Sequence, residues 1–293
     1  MTGTSRWAAA ALAHVESRCA GGPLGRSLRV TLNFHPDREV DGVSVVEALA
    51  RDGVYRSQFE TGTSNGGLTA HAGGARWLWE KRLFGGAYDD APPVERPKYG
   101  ALDHRHRSVG GAIRFGSAHL RLAEHVLDRT TFCFPDSVFE PAEFATSARF
   151  DLFASVEVFD AVERDDAMEG QIGGMLDDYV EAQVHGAVVL AEDVEALVLD
   201  PCYRGTAVQT AAERLDVPLE WHEGRVLSIE ELERHPAFRG PAIVGVGLEI
   251  ARGTVLDARI VGEAVRAGAH DPQDLKKVWH HIARFGGSRH GEG

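Results

Sequence analysis

Ten consecutive residues, Gln58-Phe59-Glu60-Thr61-Gly62-Thr63-Ser64-Asn65-Gly66-Gly67, crowd hydrogen-bonding groups onto a backbone that can come close to a ligand. Gly62, Gly66 and Gly67 lack a Cβ, so the main chain can approach a bound molecule. Thr61, Thr63, Ser64 and Asn65 supply donors and acceptors. The same composition also describes a polar turn, with Asn65-Gly66 as a hairpin signal. A second set, Glu181, Gln183 and His185, alternates with Val180, Ala182 and Val184. Period-two alternation marks a strand, so the three polar side chains share one face and can line a cleft. A solvated outer face would look the same in sequence. A third set, Arg29, Thr31, Asn33 and His35, repeats the alternation against Leu28, Val30, Leu32 and Phe34, with Asp37 and Arg38 just beyond.

Aromatic residues follow at Trp77, Trp79, Phe84 and Tyr88. They can wall a base or a nicotinamide ring, although aromatics at this density are more often core. Arg114, Ser117, His119, Thr130, Thr131, Asp136 and Ser137 form a more scattered polar set that strand ends alone would explain. His35, Asp37, His71, His119 and His185 are the ligand pool for a metal-dependent hydrolase, but no local spacing unites them. HExxH, GxSxG and EF-hand patterns do not occur, nor does GxGxxG after a strand or GxxxxGK[ST].

The elements that must position these residues follow from periodicity and caps. Residues 5–19 read as an amphipathic helix and 28–34 as a strand. Ser44 and Glu47 have capping-box spacing for a helix that Gly53 stops. Residues 76–83 read as helix, 91–100 as a loop with three prolines, and 113–134 as a run of strands. Residues 143–163 lean to helix. The strand at 179–190 is followed closely by another at 194–199, a spacing that suggests antiparallel pairing. Thr206 and Ser228 are placed to cap helices, and Asp271-Pro272 opens one that Gly286 ends. The expected fold class is α+β: a central, mostly antiparallel sheet with an N-terminal helix and C-terminal helices. We divide it into an N-terminal helix (1–27), a core (28–238) and a C-terminal helical region (239–293) packed on the same domain.

The chain has 293 residues and 44 acidic against 31 basic side chains, a net charge of −13. Such a surface repels nucleic acid and anionic membrane. Cys19, Cys133 and Cys202 are odd in number and widely spaced, which suits a reducing compartment. The apolar run at residues 7–12 is too short to span a bilayer and lacks a signal-peptide pattern, so a cytoplasmic protein is expected.

Six segments carry a family resemblance: NFHPDR (33–38), QFETGTSNGGLTA (58–70), WE and LFGGAY within 79–88, RPKYGAL (96–102), RFGSAHLRL (114–122) and YVEAQVHG…DVEALVLDP (179–201). They resemble a bacterial domain-of-unknown-function family, number 3626, over about residues 28–286. Its motif order is similar to that of mono-ADP-ribosyltransferases, which use an early basic residue, a Ser/Thr-rich strand and a late catalytic Glu. The corresponding positions are Arg29 or His35, then Thr61-Gly62-Thr63-Ser64, then Glu181. Glu181-Ala182-Gln183 reverses the usual order of the late motif.

The resemblance implies NAD-dependent ADP-ribosyl transfer, or a related cleavage of the nicotinamide–ribose bond, with NAD as substrate and no metal. Glu181 would stabilise an oxocarbenium-like transition state, with Gln183 and His185 beside it. Arg29, His35, Thr61, Gly62, Thr63, Ser64 and Asn65 would bind the dinucleotide, and Trp79 and Tyr88 would wall the nicotinamide. The acceptor, protein or nucleic acid, is unspecified, and no membrane partner is implied. A metal-dependent hydrolase and a non-catalytic binding protein are the alternatives.

Overall fold

Alternation along the strands builds a sheet whose two faces differ in chemistry but are both buried. The computed structural model describes residues 4–62, 69–165 and 176–288. Its main sheet has eight strands: β1 (Val30–Phe34), β2 (Lys98–Leu102), β3 (Ala118–Leu122), β4 (Thr130–Phe134), β5 (Glu143–Thr146), β6 (Val180–Val184), β7 (Val194–Leu199) and β8 (Leu219–Trp221). Their spatial order is β8-β7-β3-β1-β2-β6-β4-β5. Every neighbouring pair is antiparallel except β7–β8, which is parallel. The longer helices are α1 (Arg6–Glu16), α2 (Val45–Asp52), α3 (Ala75–Leu83), α4 (Phe153–Asp165), α5 (Pro241–Ile250), α6 (Ala258–Ala267) and α7 (Pro272–Phe285). The architecture is α+β.

Register fixes which side chains share a face. Thr31 lies opposite Ala101, Ala101 opposite Glu181, and Glu181 opposite Cys133. Directly opposed residues point the same way, so the polar positions of β1 and β6 are on one side of the sheet. The other side, with Leu32, Leu102 and Ala182, joins a large apolar cluster that includes Val46 and Leu49 of α2 and Leu275, Val278 and Ile282 of α7. A smaller cluster gathers Ala11 and Val15 of α1, Trp79 and Leu83 of α3, Phe84, Tyr88, Cys133 and Phe144.

The polar face of β1 is not solvated. Thr31 and Asn33 are buried under residues 109–112. Asn33 Nδ2 donates to the Val109 carbonyl at 2.9 Å, and Gly111 N–H donates to Thr31 Oγ1 at 2.8 Å. Loop backbone thus supplies the partners that buried polar groups require.

Capping chemistry fixes several boundaries. Ser44 and Glu47 form the reciprocal box at α2, and Gly53 closes that helix with φ +64°. Asp271 accepts from Gln273 N–H at the start of α7, whose last residue precedes Gly286. Ser228 accepts from Glu231 N–H, whereas Thr206 makes no side-chain cap bond.

Four expectations are corrected. Residues 113–115 form a 3-10 turn rather than a strand, tied to α7 by Trp279 Nε1 donating to the Ile113 carbonyl at 3.0 Å. Residues 143–163 divide into strand β5 and helix α4. β7 pairs with β3 and β8, not with β6. The chain between β6 and β7 does not turn tightly, because Val188 and Val189 pair with Tyr55 and Val54 and a helical turn follows at Leu190–Asp193. Finally, the expected loop at 91–100 contains the start of β2. Among the described residues no helix is long and apolar enough to cross a membrane, and Cys19, Cys133 and Cys202 are free and buried.

Gly100 shows why β2 escapes a reading based on β-propensity. A Cβ there would lie 2.4 Å from the Thr31 carbonyl oxygen and 2.5 Å from Leu32 Cδ2. Close strand approach therefore demands a residue that β-propensity disfavours. Gly100→Ala should destabilise the fold by about 1–3 kcal/mol, the usual cost of overpacking. Urea unfolding would measure it, and an unchanged midpoint would contradict the packing described.

Candidate functional site

Glu181 sits mid-strand in β6 with its carboxylate buried. Ser137 Oγ donates to Oε2 at 2.9 Å, and Gln183 Nε2 donates to Oε1 at 3.0 Å. Arg76 Nη1, from α3, donates to Ser137 Oγ at 3.1 Å. Asp136 is adjacent and accepts from the Tyr179 hydroxyl. Burial raises the Glu181 carboxyl to about 7, and the Asp136 charge pushes the same way. The Arg76 charge and the bonds from Gln183 and Ser137 oppose that rise.

Behind Glu181 runs a chain of hydrogen bonds. Tyr88 Oη lies 2.7 Å from His185 Nδ1, and His185 Nε2 lies 3.0 Å from Thr131 Oγ1. Thr131 Oγ1 donates to Gln183 Oε1 at 2.8 Å. That donation leaves Thr131 to accept from Nε2–H, so Nδ1 accepts from Tyr88. Every bond then points toward Glu181. Burial, with the charges of Arg129 and Lys98, lowers His185 to about 3, so its ring is neutral as this polarity requires.

In front of Glu181 is a cavity of about 440 Å³, within the size range of small-molecule sites. His35 and Arg38, just after β1, form part of its wall, as do Thr61, Arg76, Tyr99, Arg114 and Glu181. The Thr61 backbone is held by a helical turn, Gln58–Thr61. Ser57 and Glu60 cap it reciprocally, and Gly62 ends it with φ +65°. Arg76 lies 3.9 Å over the Tyr99 ring, and Tyr99 Oη donates to Glu80 Oε1 at 2.9 Å. Burial and the Arg38 charge lower His35 to about 4. Its ring meets Trp279 edge-on, 5.0 Å between centroids.

Three distant stretches therefore reach one cavity through His35, Thr61 and Glu181. The other expected site residues that are described lie elsewhere. Arg29 is bound to Glu195 at 2.7 Å and to backbone carbonyls of Arg26 and Leu28. Trp79 is packed in the α1 cluster. Tyr88 and His185 stack with rings 5.9 Å apart and 2° from parallel, away from the cavity. Gln183 is fully buried behind Glu181. Gly62 is exposed at the end of its turn. Thr63, Ser64 and Asn65 lie outside the described residues. The sequence gives little warning of Arg76 and Tyr99, because an Arg in a helix and a Tyr in a short strand carry no motif. Among the described residues no group of three or more His, Cys, Asp or Glu side chains is placed to hold a metal ion.

The family described as "Protein of unknown function (DUF3626)" matches residues 29–171 and 156–284. The "Gene 2 protein" of Mycobacterium phage L5 is 29% identical over 163 residues, covering 51% of this chain and 59% of the phage protein. The chain thus spans less than two thirds of that relative's length.

The raised carboxyl of Glu181 has a stability consequence. Its folded value of about 7 exceeds the ordinary 4.5. The native state therefore holds the proton more tightly than the unfolded chain. The associated stability is fully present below 4.5 and is lost as pH rises through 7. Glu181→Gln, which keeps the shape and stays neutral, should gain stability relative to the parent at pH 8 and much less at pH 4.5. Denaturant melts of both proteins at the two pH values would show this. A pH-independent difference would mean that Glu181 does not titrate in that window.

Proposed function

The chain belongs to the DUF3626 family of proteins of unknown function, and we propose that it breaks the bond between nicotinamide and ribose in NAD and transfers ADP-ribose to an acceptor. The observation that carries this reading is the convergence of His35, Thr61 and the buried carboxylate of Glu181 on one cavity. Glycosidic cleavage needs such an arrangement. As the C–N bond breaks, its electron pair leaves with nicotinamide, and positive charge develops on the ribose ring. A carboxylate held in a water-poor wall stabilises that charge without having to reorganise. The acceptor then attacks the anomeric carbon and gives up a proton. A carboxylate near 7 suits the general base, because its value lies close to a neutral working pH.

The surroundings of Glu181 support the role. Gln183 and Ser137 hold its two oxygens apart at fixed positions, and Arg76 favours ionisation without pairing directly with the carboxylate. Gln183 and His185 belong to the chain behind it and would act by positioning. A cytoplasmic setting, which keeps the three buried thiols reduced and holds NAD, is part of the proposal. Acceptors can be protein, nucleic acid or water.

The test is release of nicotinamide from NAD, followed by chromatography, with NAD affinity measured in parallel. Glu181→Gln should lower turnover by about 10²–10³-fold, the scale of lost transition-state charge stabilisation, while NAD binds as before. For the parent protein, kcat should rise with pH through about 7 as Glu181 ionises. Full turnover by Glu181→Gln would remove Glu181 from the reaction.

A further inference from the structure

Cations gather beside the cavity in a chain that is acidic overall, with 44 carboxylate side chains against 31 basic ones. Lys276, Trp279 and His280 are spaced i, i+3 and i+4 on α7, so they share a helix face. Trp279 orients that face. Its indole N–H is bonded to Ile113, and its ring meets His35. His35, Arg38 and Arg114 are themselves cavity wall. Arg239 ends the helical turn Pro236–Arg239, with its guanidinium 4.4 Å from the Phe238 ring centroid.

Within the cluster, Arg239 and His280 are short of hydrogen-bond partners among the described residues. His280 is 4% exposed, and neither of its ring nitrogens has a hydrogen-bond partner among the described residues. Nε of Arg114 and Nε of Arg239 are buried and unpartnered as well. Asp177 pairs with Arg114, and Asp136 acts on Lys276. Among the described residues neither Arg239 nor Lys276 makes an ion pair. Burial, then the charges of Arg239, Arg114 and Lys276, drive His280 well below its usual range. Burial and the charges of Arg114 and Arg284 lower Arg239 to about 10. Half-buried like charges with orphaned donors raise the free energy of the fold, and a bound anion would offset both costs at once.

The geometry points to an anion subsite at this edge of the cavity, in which Arg38, Arg114, Arg239 and Lys276 receive a phosphate or diphosphate group and His280 supplies a further polar contact. This goes beyond the glycosidic reading, and it rests on that reading only for naming NAD as the molecule that carries the diphosphate.

Inorganic pyrophosphate and inorganic phosphate are the probes, titrated calorimetrically into the whole protein at fixed ionic strength. Saturable pyrophosphate binding is expected, tightening at low salt because the cluster is partly exposed. Arg239→Gln and Lys276→Gln should each weaken it about tenfold or more. Each should also leave the unliganded melting temperature equal to or above the parent's, because like-charge repulsion is relieved. Arg234→Gln, at an exposed position paired with Glu230 and Glu231, controls for net charge and should bind as the parent does. Absent binding, or equal affinity in the parent and in Arg239→Gln and Lys276→Gln, overturns the subsite. Variant-sensitive pyrophosphate binding with no nicotinamide release supports the subsite and overturns the glycosidic reading instead.

Discussion

A carboxylate inside a β-sheet must be hydrogen-bonded or lose its charge, and the polar face of this sheet is organised around meeting that demand for Glu181. Gln183 can donate to Glu181 only if its carbonyl end is satisfied elsewhere, and Thr131 satisfies it. Thr131 then needs a donor, which His185 provides, and His185 needs one in turn, which Tyr88 provides. Each link fixes the orientation of the next. The polarity reaches the sheet from the segment following α3, so the direction of one buried amide and the tautomer of one buried histidine are set by a carboxylate two and four residues away. Deleting any member would leave an orphaned group where water cannot easily replace it.

A second polar group holds the front of the site. Arg96 is bonded to Glu80 at 2.5 Å and to the Tyr88 carbonyl at 2.8 Å, and Tyr99 donates to the same Glu80. Arg76 lies over the Tyr99 ring and reaches Ser137. Glu80 is raised to about 7 by burial, against the pull of Arg96 and Tyr99. Arg76 therefore serves both layers. It is spaced by an aromatic ring from one carboxylate and by a hydroxyl from the other. Its charge acts on Glu181 through Ser137, without a direct salt bridge.

What could be read from the sequence, and what could not, divides along the reach of the forces. Caps are local, so Ser44, Glu47, Gly53, Asp271 and Gly286 marked helix ends correctly. Alternation is local too, and it placed Glu181 and Gln183 on the same face as Thr31 and Asn33 once register joined the strands. Burial of that face was not legible, because it depends on residues 109–112 folding across it, 76 positions from Asn33. β2 was hidden by Gly100, whose role is set by the neighbouring strand. The aromatics Trp79 and Tyr88 looked like a ligand wall and are core, since density of aromatics says nothing about which way they face. His35, Thr61 and Glu181 share a cavity, but Arg29, at the other end of the same polar alternation, is drawn to Glu195 across the sheet. Alternation gives the face of a strand and is silent about position along it.

The same limit explains the division of labour in the proposed site. β1 delivers its last residues to the cavity, and the chain continues through His35 to Arg38. β6 delivers its second residue, Glu181, from two strands away, on a strand that runs in the same direction as β1 because both are antiparallel to β2 between them. The carboxylate thus arrives on a rigid strand with both oxygens held, while cations arrive from turns and from α7 on long side chains. Under the proposed reading that asymmetry has a chemical use. The group that meets developing positive charge must be fixed before the bond breaks, because reorganisation then would cost the stabilisation it offers. Groups that hold a phosphate act in the ground state and the transition state alike, so they can tolerate the adaptability of lysine and arginine on a helix surface.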